Sequence, residues 1–348
     1  MEELLPFIDL NAITIFALVL LGFLGGMLSG FIGSGGAFVL TPGMMSLGVE
    51  GAVAVASNMC HKFPKALVGA YRRYRLGHVD LKLGLIMAAS AIIGVLVGIQ
   101  IQQWILKTWG KAGSNLYISL TFVVILWVVG GYMFNDARKA KKKGLEDTVS
   151  PIAEKVKKWN IPPMITFKTA GTRVSLWITV PTGFATGMLA ATIAVGGFIG
   201  VPSMIYIFGA PAFVGSGTEL VIAFVMGSAG AFKWALGGFV DIRLTVLILA
   251  GSLFGVQVGA LGTTYVKEYM IKWVCGAVMI LAGISRAAVI PVYLTDLNVV
   301  AIGSGIYGGL KMLSLILLYG TLICSGVIII GAMIQGKRAY KELAVPAK

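Results

Sequence analysis

One apolar run of the sequence, residues 52–71, carries three basic side chains: His61, Lys62 and Lys65. His61 and Lys65 are four residues apart, so they share one face of a helix, with Lys62 beside them. At membrane depth a cation costs at least ~2.5 kcal/mol unless it is paired or hydrated. The cluster predicts a buried site for an anion. The alternative is a shifted helix whose lysines reach the aqueous interface.

Hydroxyl, amide and carboxyl groups accompany these cations. Ser57 and Asn58 lie one helical turn earlier and offer hydrogen-bond donors to an anion. An internal repeat, described below, brings Thr218 and Glu219 to the corresponding places in the second half of the chain. Glu219 has two interpretations: a fixed counter-ion of the lysines, or a group that binds and releases a proton, as buried carboxyls can.

Two glycine-containing segments interrupt long uncharged stretches. Gly33-Ser34-Gly35-Gly36 lies within residues 10–49, and Gly196-Gly197 lies within residues 174–218. A single helix of about 40 residues would be about 60 Å long, twice the hydrocarbon core of a bilayer. Each segment is therefore interpreted as the tip of a helical hairpin. The short second arm of each hairpin would present backbone N–H groups and partial positive charge to an anion.

Composition indicates that these groups belong to a membrane protein. Hydrophobic residues make up 57% of the chain and charged residues 12%, and the mean hydropathy is +0.91. A soluble domain has roughly 25% charged residues. The net charge of +14 arises in loops between apolar runs, where a positive-inside bias explains it. Without nucleic-acid-binding motifs, nucleic acid is not expected as a partner.

Seven further apolar runs have the usual length of membrane-spanning helices. They lie at about 52–71, 83–106, 114–135, 212–236, 244–266, 271–292 and 312–335. Residues 136–173 hold ten Lys and Arg side chains, which predicts a cytoplasmic location. If each interrupted stretch is a hairpin, every strongly basic loop falls in the cytoplasm, with the N-terminus outside and the C-terminus inside. If each is a single pass, the basic tail falls outside, so the hairpins are favoured.

The two halves of the chain align when one is shifted by 161 positions. Matching pairs include Gly22 with Gly183, Gly26 with Gly187, Asp80 with Asp241, Gly94 with Gly255, and Gly98 with Gly259. Each half contains an odd number of passes, so the second copy enters the membrane from the opposite side. Inverted repeats with broken helices are typical of secondary transporters, whose substrates bind at those breaks. A purely structural duplication is the alternative, although it would not need broken helices in lipid.

The expected fold is an all-α polytopic membrane protein of the cell (cytoplasmic) membrane. It has two inverted-topology repeats, each opening with a glycine-broken hairpin, and an extra C-terminal transmembrane helix. The predicted divisions are a first repeat at 1–135, a basic cytoplasmic linker at 136–170, a second repeat at 171–292, and the last helix with a basic tail at 293–348.

An ordered set of motifs resembles the sulfite-exporter TauE/SafE permease family. The set comprises the first glycine segment, Pro42, Ala56-Ser57-Asn58, Gly77-His78-Val79-Asp80 and Gly94…Gly98, and a weaker copy follows in the second half. The resemblance covers about 20–105 and 181–266. It implies a permease for sulfite or small sulfonates, while residues 136–170 and the C-terminal segment depart from the pattern and leave the substrate open.

The leading hypothesis is a secondary permease for a small sulfur-containing anion, working by alternating access. A channel or carrier for another oxyanion or a carboxylate is the alternative, and a lipid-acting membrane enzyme or scaffold is disfavoured because clustered His or carboxylates are absent. The first glycine segment lacks the Lys-Ser/Thr of a phosphate loop, so no enzyme activity, cofactor or metal is expected. The expected partners are the anion, membrane lipid and a coupling proton or sodium ion, and an oligomer is compatible with the sequence, which does not fix the oligomeric state.

Four other side chains have two interpretations. Arg72 and Lys233 correspond across the repeats and would line two anion-attracting vestibules, or they simply mark loop ends. Asp80 and Asp241 precede helices, where N-capping is the ordinary explanation and a role in transport is the alternative. Arg286, near the end of an apolar run, has no interpretation from sequence alone.

Overall fold

The computed structural model describes residues 7–32, 37–143, 151–157, 159, 161–263 and 268–343. Its helices are α1 (Ala12–Ile32), α2 (Ala37–Ser46), α3 (Gly51–Arg75), α4 (Leu81–Lys143), α5 (Pro151–Lys157), α6 (Leu176–Ile193), α7 (Gly197–Pro202), α8 (Ala212–Leu236), α9 (Ile242–Thr263), α10 (Glu268–Ala288), α11 (Ile290–Asp296) and α12 (Ser304–Leu343). Strands β1 (Met164–Phe167) and β2 (Thr172–Ser175) precede α6, and a π-helical turn (Ser203–Ile207) follows α7.

Seven spans among the described helices are long and apolar enough to cross a membrane. They are Ala12–Phe31, Leu81–Lys139, Leu176–Ile193, Ala212–Leu236, Ile242–Gly262, Met270–Asp296 and Ser304–Gln335. The chain is therefore a polytopic, predominantly helical membrane protein, as the sequence predicts. α3 is not among these seven spans. It has 25 residues, as many as α8, but its basic side chains make it less apolar.

α4 contains two of the predicted spans. Gly110 interrupts it with φ 66° and ψ −167°, a conformation open to glycine because it has no Cβ. The break falls between the predicted spans at 83–106 and 114–135.

The basic segment before α6 has more structure than a linker. α4 extends to Lys143, α5 follows, and β1 pairs with β2 in an antiparallel hairpin in which Met164 faces Ser175. The expectation of an all-α fold is therefore wrong for residues 164–175. The hairpin is too short, at four residues a strand, for alternation of apolar residues to reveal it in the sequence.

The first interrupted stretch folds as two helical arms that pack side by side. Gly25 of α1 lies against Leu40 of α2, and Gly43 of α2 lies against Leu21 of α1. The later residue on one arm meets the earlier residue on the other, so the arms are antiparallel. The predicted hairpin is confirmed, with its short arm at Ala37–Ser46, while the tip at 33–36 lies outside the described residues.

The second interrupted stretch also breaks where the sequence predicts. α6 ends at Ile193. The residue after it, Ala194, has a left-handed φ of 59°, and α7 begins at Gly197. Gly196 and Gly200 both lie against Thr186 of α6, so α7 turns back onto α6.

The chain forms two compact units, and each contains helices from both halves of the sequence. One unit is built from Val49–Ile118 and Asp147–Val246, and the other from Asp9–Gly48, Ser119–Glu146 and Leu247–Lys348.

In the first unit, glycines bring α4 and α6 into backbone contact. Gly183 and Gly187 lie against the backbone of Met87 and Ala91 in α4. A glycine of α4 also approaches the backbone of α6, since a Cβ at Gly98 would lie 2.9 Å from the carbonyl oxygen of Met188. Such close approach needs small residues and suits helix packing in lipid. Residue numbers rise together on both helices, so α4 and α6 run parallel.

The second unit repeats this packing with α9 and α1. Gly22 and Gly26 lie against Ile248 and Ser252, and Gly259 lies against Met27. Each of these contacts falls 161 positions from its counterpart between α4 and α6. The alignment of the two halves thus reappears in three dimensions as equivalent helix contacts.

We expect Gly255→Ala to destabilise the protein and Gly131→Ala to leave it stable. A Cβ at Gly255 would overlap the Phe23 backbone and lie 2.8 Å from the Met27 amide nitrogen, and such overpacking costs roughly 1–3 kcal/mol. Gly131 has open space, so alanine there gains up to about 1 kcal/mol of helix propensity. Melting temperatures of the purified variants in detergent test the pair, and equal melting temperatures would contradict the proposed role of the contact.

Candidate functional site

The pairing of α3 with α8 assembles most of the predicted site. Gly69 of α3 lies against Leu220, and Gly230 of α8 lies against Met59. Residue 59 corresponds to 220 and residue 69 to 230 under the 161-residue shift. The two contacts are therefore equivalent to each other across the repeats. The two helices therefore cross in an antiparallel, locally symmetric pair, with Ser57 and Thr218 toward opposite ends.

Ser57 and Thr218 form matching hydrogen bonds at the two ends of this pair. The Ser57 hydroxyl oxygen accepts from the backbone N–H of Asp241 at 3.0 Å. The Thr218 hydroxyl oxygen accepts from the backbone N–H of Asp80 at 3.0 Å. Both side chains are fully buried, so they satisfy backbone groups that lipid could not. Each hydroxyl hydrogen is still available as a donor.

Asp80 caps its helix, as predicted, and also holds a loop. One carboxylate oxygen accepts from the backbone N–H of Leu83, and the other accepts from the N–H groups of Thr169 and Ala170 at 3.0 and 3.1 Å. The loop between β1 and β2 is thereby fastened to the start of α4. Sequence reasoning missed this second function because the partner loop is about 90 residues away.

Asp241 also caps its helix but has a different partner. Its carboxylate accepts from the Arg243 backbone N–H and forms an ion pair with the Arg243 side chain at 2.8 Å. Both N-capping predictions are confirmed.

Glu219 is the most unusual carboxyl in this unit. Its side chain is 1% exposed, and neither carboxylate oxygen accepts a hydrogen bond within the described part of the chain. One oxygen lies so close to Gly200 of α7 that a Cβ there would overlap it. An ionised carboxylate in such surroundings requires a counter-charge.

Lys62 is an opposite charge that acts on this carboxyl. It is partly buried and attracts Glu219 electrostatically, although the two described side chains do not approach within the 4.0 Å of a direct ion pair. His61, on the same helix, is fully buried, and Lys65 is partly buried and repels Lys62. The site therefore combines a cationic cluster on α3 with one acid on α8.

The remaining predicted residues fall into two groups. Asn58 is fully buried on α3, and Gly196 and Gly197 are buried at the break between α6 and α7. Gly33, Ser34, Gly35 and Gly36 lie outside the described residues.

Thr186 and Gly200 belong to the site but were not predicted. Thr186 is fully buried and its methyl group packs 3.4 Å from where a Cβ of Gly200 would lie. A Gly four residues after the break is the signal that sequence reasoning could have used, since it lets the Glu219 carboxyl approach α7.

Arg72 and Lys233 are exposed near the last turns of α3 and α8. Neither lies among the buried groups of the site, which is compatible with both of their predicted roles.

Glu50, in the loop before α3, is a partly buried acid with buried carboxylate oxygens that sequence reasoning did not select. Burial raises the pKa of its carboxyl from 4.5 to about 7, and Lys111 opposes part of this rise. The start of the helix that carries the cationic cluster thus has a group that changes charge near neutral pH.

Apolar spans around a buried cluster of charges, with a broken helix beside it, define a polytopic membrane transport protein. Residues 18–286 match the family described as sulfite exporter TauE/SafE. The match covers more than half of the chain, which therefore belongs to this family, as its motifs predicted.

Curated relatives agree with this assignment. The chain is 26% identical to the probable membrane transporter protein YdhB of Bacillus subtilis (strain 168) over 261 residues, 73% of this chain and 93% of the relative. It is 25% identical to the probable membrane transporter protein YjnA of the same organism over 278 residues, 77% of this chain and 98% of the relative. Because family and relatives are described as membrane transporters, the chain is a transporter rather than an enzyme.

We expect Thr218→Val to destabilise the protein by about 1–3 kcal/mol, because it leaves the buried N–H of Asp80 without an acceptor. Ser228→Ala on the same helix is the matched control. Within the described residues its hydroxyl bonds only the Val225 carbonyl of its own turn, and we expect a change within about 0.5 kcal/mol. Chemical denaturation in detergent measures both, and an unchanged Thr218→Val would refute the structural role of this hydroxyl.

Proposed function

We propose that the protein is a secondary-active permease that moves a small sulfur-containing anion, sulfite or an organosulfonate, across the cytoplasmic membrane by alternating access. The observation that carries the proposal is the buried Glu219 carboxyl beside the break between α6 and α7, within electrostatic reach of the partly buried Lys62. The family description, sulfite exporter, supports the class of anion. A carrier of another oxyanion or of a carboxylate is the alternative.

The charges of the pair explain how an anion could bind and leave. While Glu219 is ionised, it neutralises part of the positive charge of Lys62, and an incoming anion is repelled. When Glu219 takes up a proton, the positive charge of Lys62 attracts an anion. The proton and a monovalent anion together leave the net charge of the centre unchanged, which burial favours because it penalises net charge. A proton and a monovalent anion would then cross together. If Glu219 is only a fixed counter-ion, sodium or the anion gradient drives transport instead.

Inverted repeats supply the two states that alternating access requires. The evidence for inversion is the direction of equivalent helices. α3 and α8 correspond to one another and cross antiparallel, while α4 runs parallel to α6 and α9 parallel to α1. If the second half enters the membrane from the opposite side, all three relations follow.

We expect purified protein in liposomes to take up labelled sulfite or a sulfonate, and Lys62→Ala to reduce uptake by about tenfold or more. A hydrogen bond or ion contact to a charged group contributes about 1.5–3 kcal/mol, which corresponds to roughly 10- to 100-fold. Lys139→Ala, at an exposed lysine, is the control and should transport normally. A panel of carboxylates and inorganic oxyanions in the same assay identifies the alternative substrates.

Two outcomes would overturn this proposal: no anion uptake above empty liposomes, or unchanged uptake by Lys62→Ala. Glu219→Gln separates the two roles of the acid. If Glu219 carries the proton, the variant loses its dependence on a pH gradient. If Glu219 is a fixed counter-ion, the dependence on the driving ion stays the same.

The proposed orientation has the N-terminus outside and the segment between α4 and α6 in the cytoplasm, following the positive-inside rule. In a variant lacking the three native cysteines, we expect Val299→Cys, which is 67% exposed at the native side chain, to react with an impermeant maleimide in intact cells. Lys139→Cys should react only after the cells are opened. The reverse pattern would contradict the orientation, and reaction of both in intact cells would contradict the pass count.

A further inference from the structure

Glu50 stands at the start of α3, the helix that carries the cationic cluster, and has no part in the proposed transport site. Its backbone forms the helix cap, with an extended conformation (φ −61°, ψ 141°), and its carbonyl oxygen accepts from the Ala54 N–H at 2.8 Å. The side chain makes no capping hydrogen bond. Acids at the start of a helix are ordinarily stabilised by its free N–H groups, so the Glu50 carboxyl is held away from its usual partners.

The carboxyl oxygens of Glu50 are enclosed. Both are buried, and neither accepts a hydrogen bond within the described part of the chain. An ionised carboxylate without water or donors is costly, whereas a neutral carboxyl loses much less by burial. The buried position therefore suits the protonated acid, in agreement with the pKa of about 7 to which burial raises this carboxyl.

Lys111, on the second arm of α4, is the charge that opposes this effect. It lowers the pKa of Glu50, though by less than burial raises it, and its side chain is exposed. Lys107 and Lys111 are the only charged residues of 83–135, and the sequence has no charge between Glu50 and His61, about three helical turns into α3. An ionised Glu50 is thus attracted outward, toward an exposed lysine and water.

A hydrogen bond beside Glu50 ties the start of α3 to α4. The Gly51 N–H donates to the side-chain oxygen of Asn115 at 2.8 Å. Asn115 lies four residues after Lys111, so the two share one face of the second arm of α4. On the other side of Glu50, Gly48 is exposed and turns the chain with a left-handed φ of 94°. Glu50 therefore sits between a glycine turn and a helix start held at Asn115, where a movement of its side chain is passed to α3.

We propose that Glu50 is a proton-binding site that controls the start of α3. A proton needs no cavity, so the enclosed oxygens hold it without any rearrangement. When the carboxyl releases its proton to water, the carboxylate swings out toward Lys111. The turn at residues 47–50 and the first turn of α3 loosen with it.

The consequence for transport rests on the proposed function. α3 carries Ser57, Lys62 and Lys65, so the freedom of its first turn bears on how the anion site opens. In the proposed orientation residues 47–50 face the outside. The outside pH then sets that freedom, with α3 fixed when the medium is acidic and loosened when it is alkaline.

Thiol labelling of the full-length protein in detergent tests the movement without any substrate. In a variant lacking the three native cysteines, Val49→Cys places a thiol where the native side chain is 4% exposed. Dividing its rate of reaction with a maleimide by that of Val299→Cys, at an exposed position, removes the effect of pH on the thiol itself. We expect this ratio to rise about tenfold from about pH 6 to about pH 8, as does the ionised fraction of a carboxyl with a pKa of about 7.

Three further substitutions assign the rise to Glu50. Glu50→Gln keeps the size of the side chain but binds no proton, so its ratio should stay low at every pH. Lys111→Met removes the opposing charge and should shift the rise to higher pH. Lys139→Met, at an exposed lysine of the second compact unit, is the matched control and should leave the rise where it is.

Thermal melting guards against a misfolded Val49→Cys variant. Because folding raises the pKa of Glu50 from 4.5 to about 7, the folded state holds a proton that the unfolded chain releases, and stability falls as the pH rises through this range. Glu50→Gln lacks this contribution. The melting temperature of Glu50→Gln relative to that of the native protein should therefore increase from about pH 4.5 to about pH 7.

The proposal is overturned if the labelling ratio is independent of pH while Glu50 is present, or if Glu50→Gln keeps the rise. It is also overturned if Lys111→Met moves the rise to lower pH, or if Glu50→Gln and the native protein melt with the same pH dependence. The labelling needs no anion, so it succeeds or fails independently of the uptake assay in liposomes.

Discussion

Lipid cannot hydrate a charge or satisfy a broken backbone, and this constraint explains most features of the protein. The break between α6 and α7 is enclosed by Thr186 and by Glu219, and the buried N–H groups before α4 and α9 are satisfied by Thr218 and Ser57. These departures from a regular apolar helix are therefore matched by groups on other helices. Those matching groups bring the candidate site together.

Close packing of glycines makes this enclosure possible. Gly183 and Gly187 let α6 approach α4 to backbone contact, and Gly22 and Gly26 do the same for α1 and α9. Between lipid-embedded helices, van der Waals contact supplies the association that the hydrophobic effect supplies in water. α1 and α6, which make these contacts, are also the helices that precede the two interruptions. The glycine contacts therefore hold the helix before each interruption in place.

Sequence reasoning succeeded wherever a local pattern carries the physical requirement. The hairpin arms, the offset of 161 residues and the caps at Asp80 and Asp241 all follow from charge-free length, glycine spacing or residue type. It did not find that Asp80 fastens the loop at Thr169, nor that Gly200 receives the Glu219 carboxyl. These contacts join residues far apart in sequence, and hydropathy holds no information about which distant groups meet. The β1–β2 hairpin was missed because its strands are too short for a periodic signal.

The two buried cations differ in how their charge can be balanced, and this difference suits different roles. Lys62 lies within electrostatic reach of Glu219; if Glu219 exchanges a proton, as proposed, the net attraction of Lys62 for an anion changes during the cycle. Arg286 has only hydroxyls around it, and it cannot give up its proton. Its charge is therefore constant. A variable charge favours binding followed by release, as transport requires, whereas the hydrogen bonds of Arg286 to Ser46 and Ser314 join α2, α10 and α12 and suit a structural role.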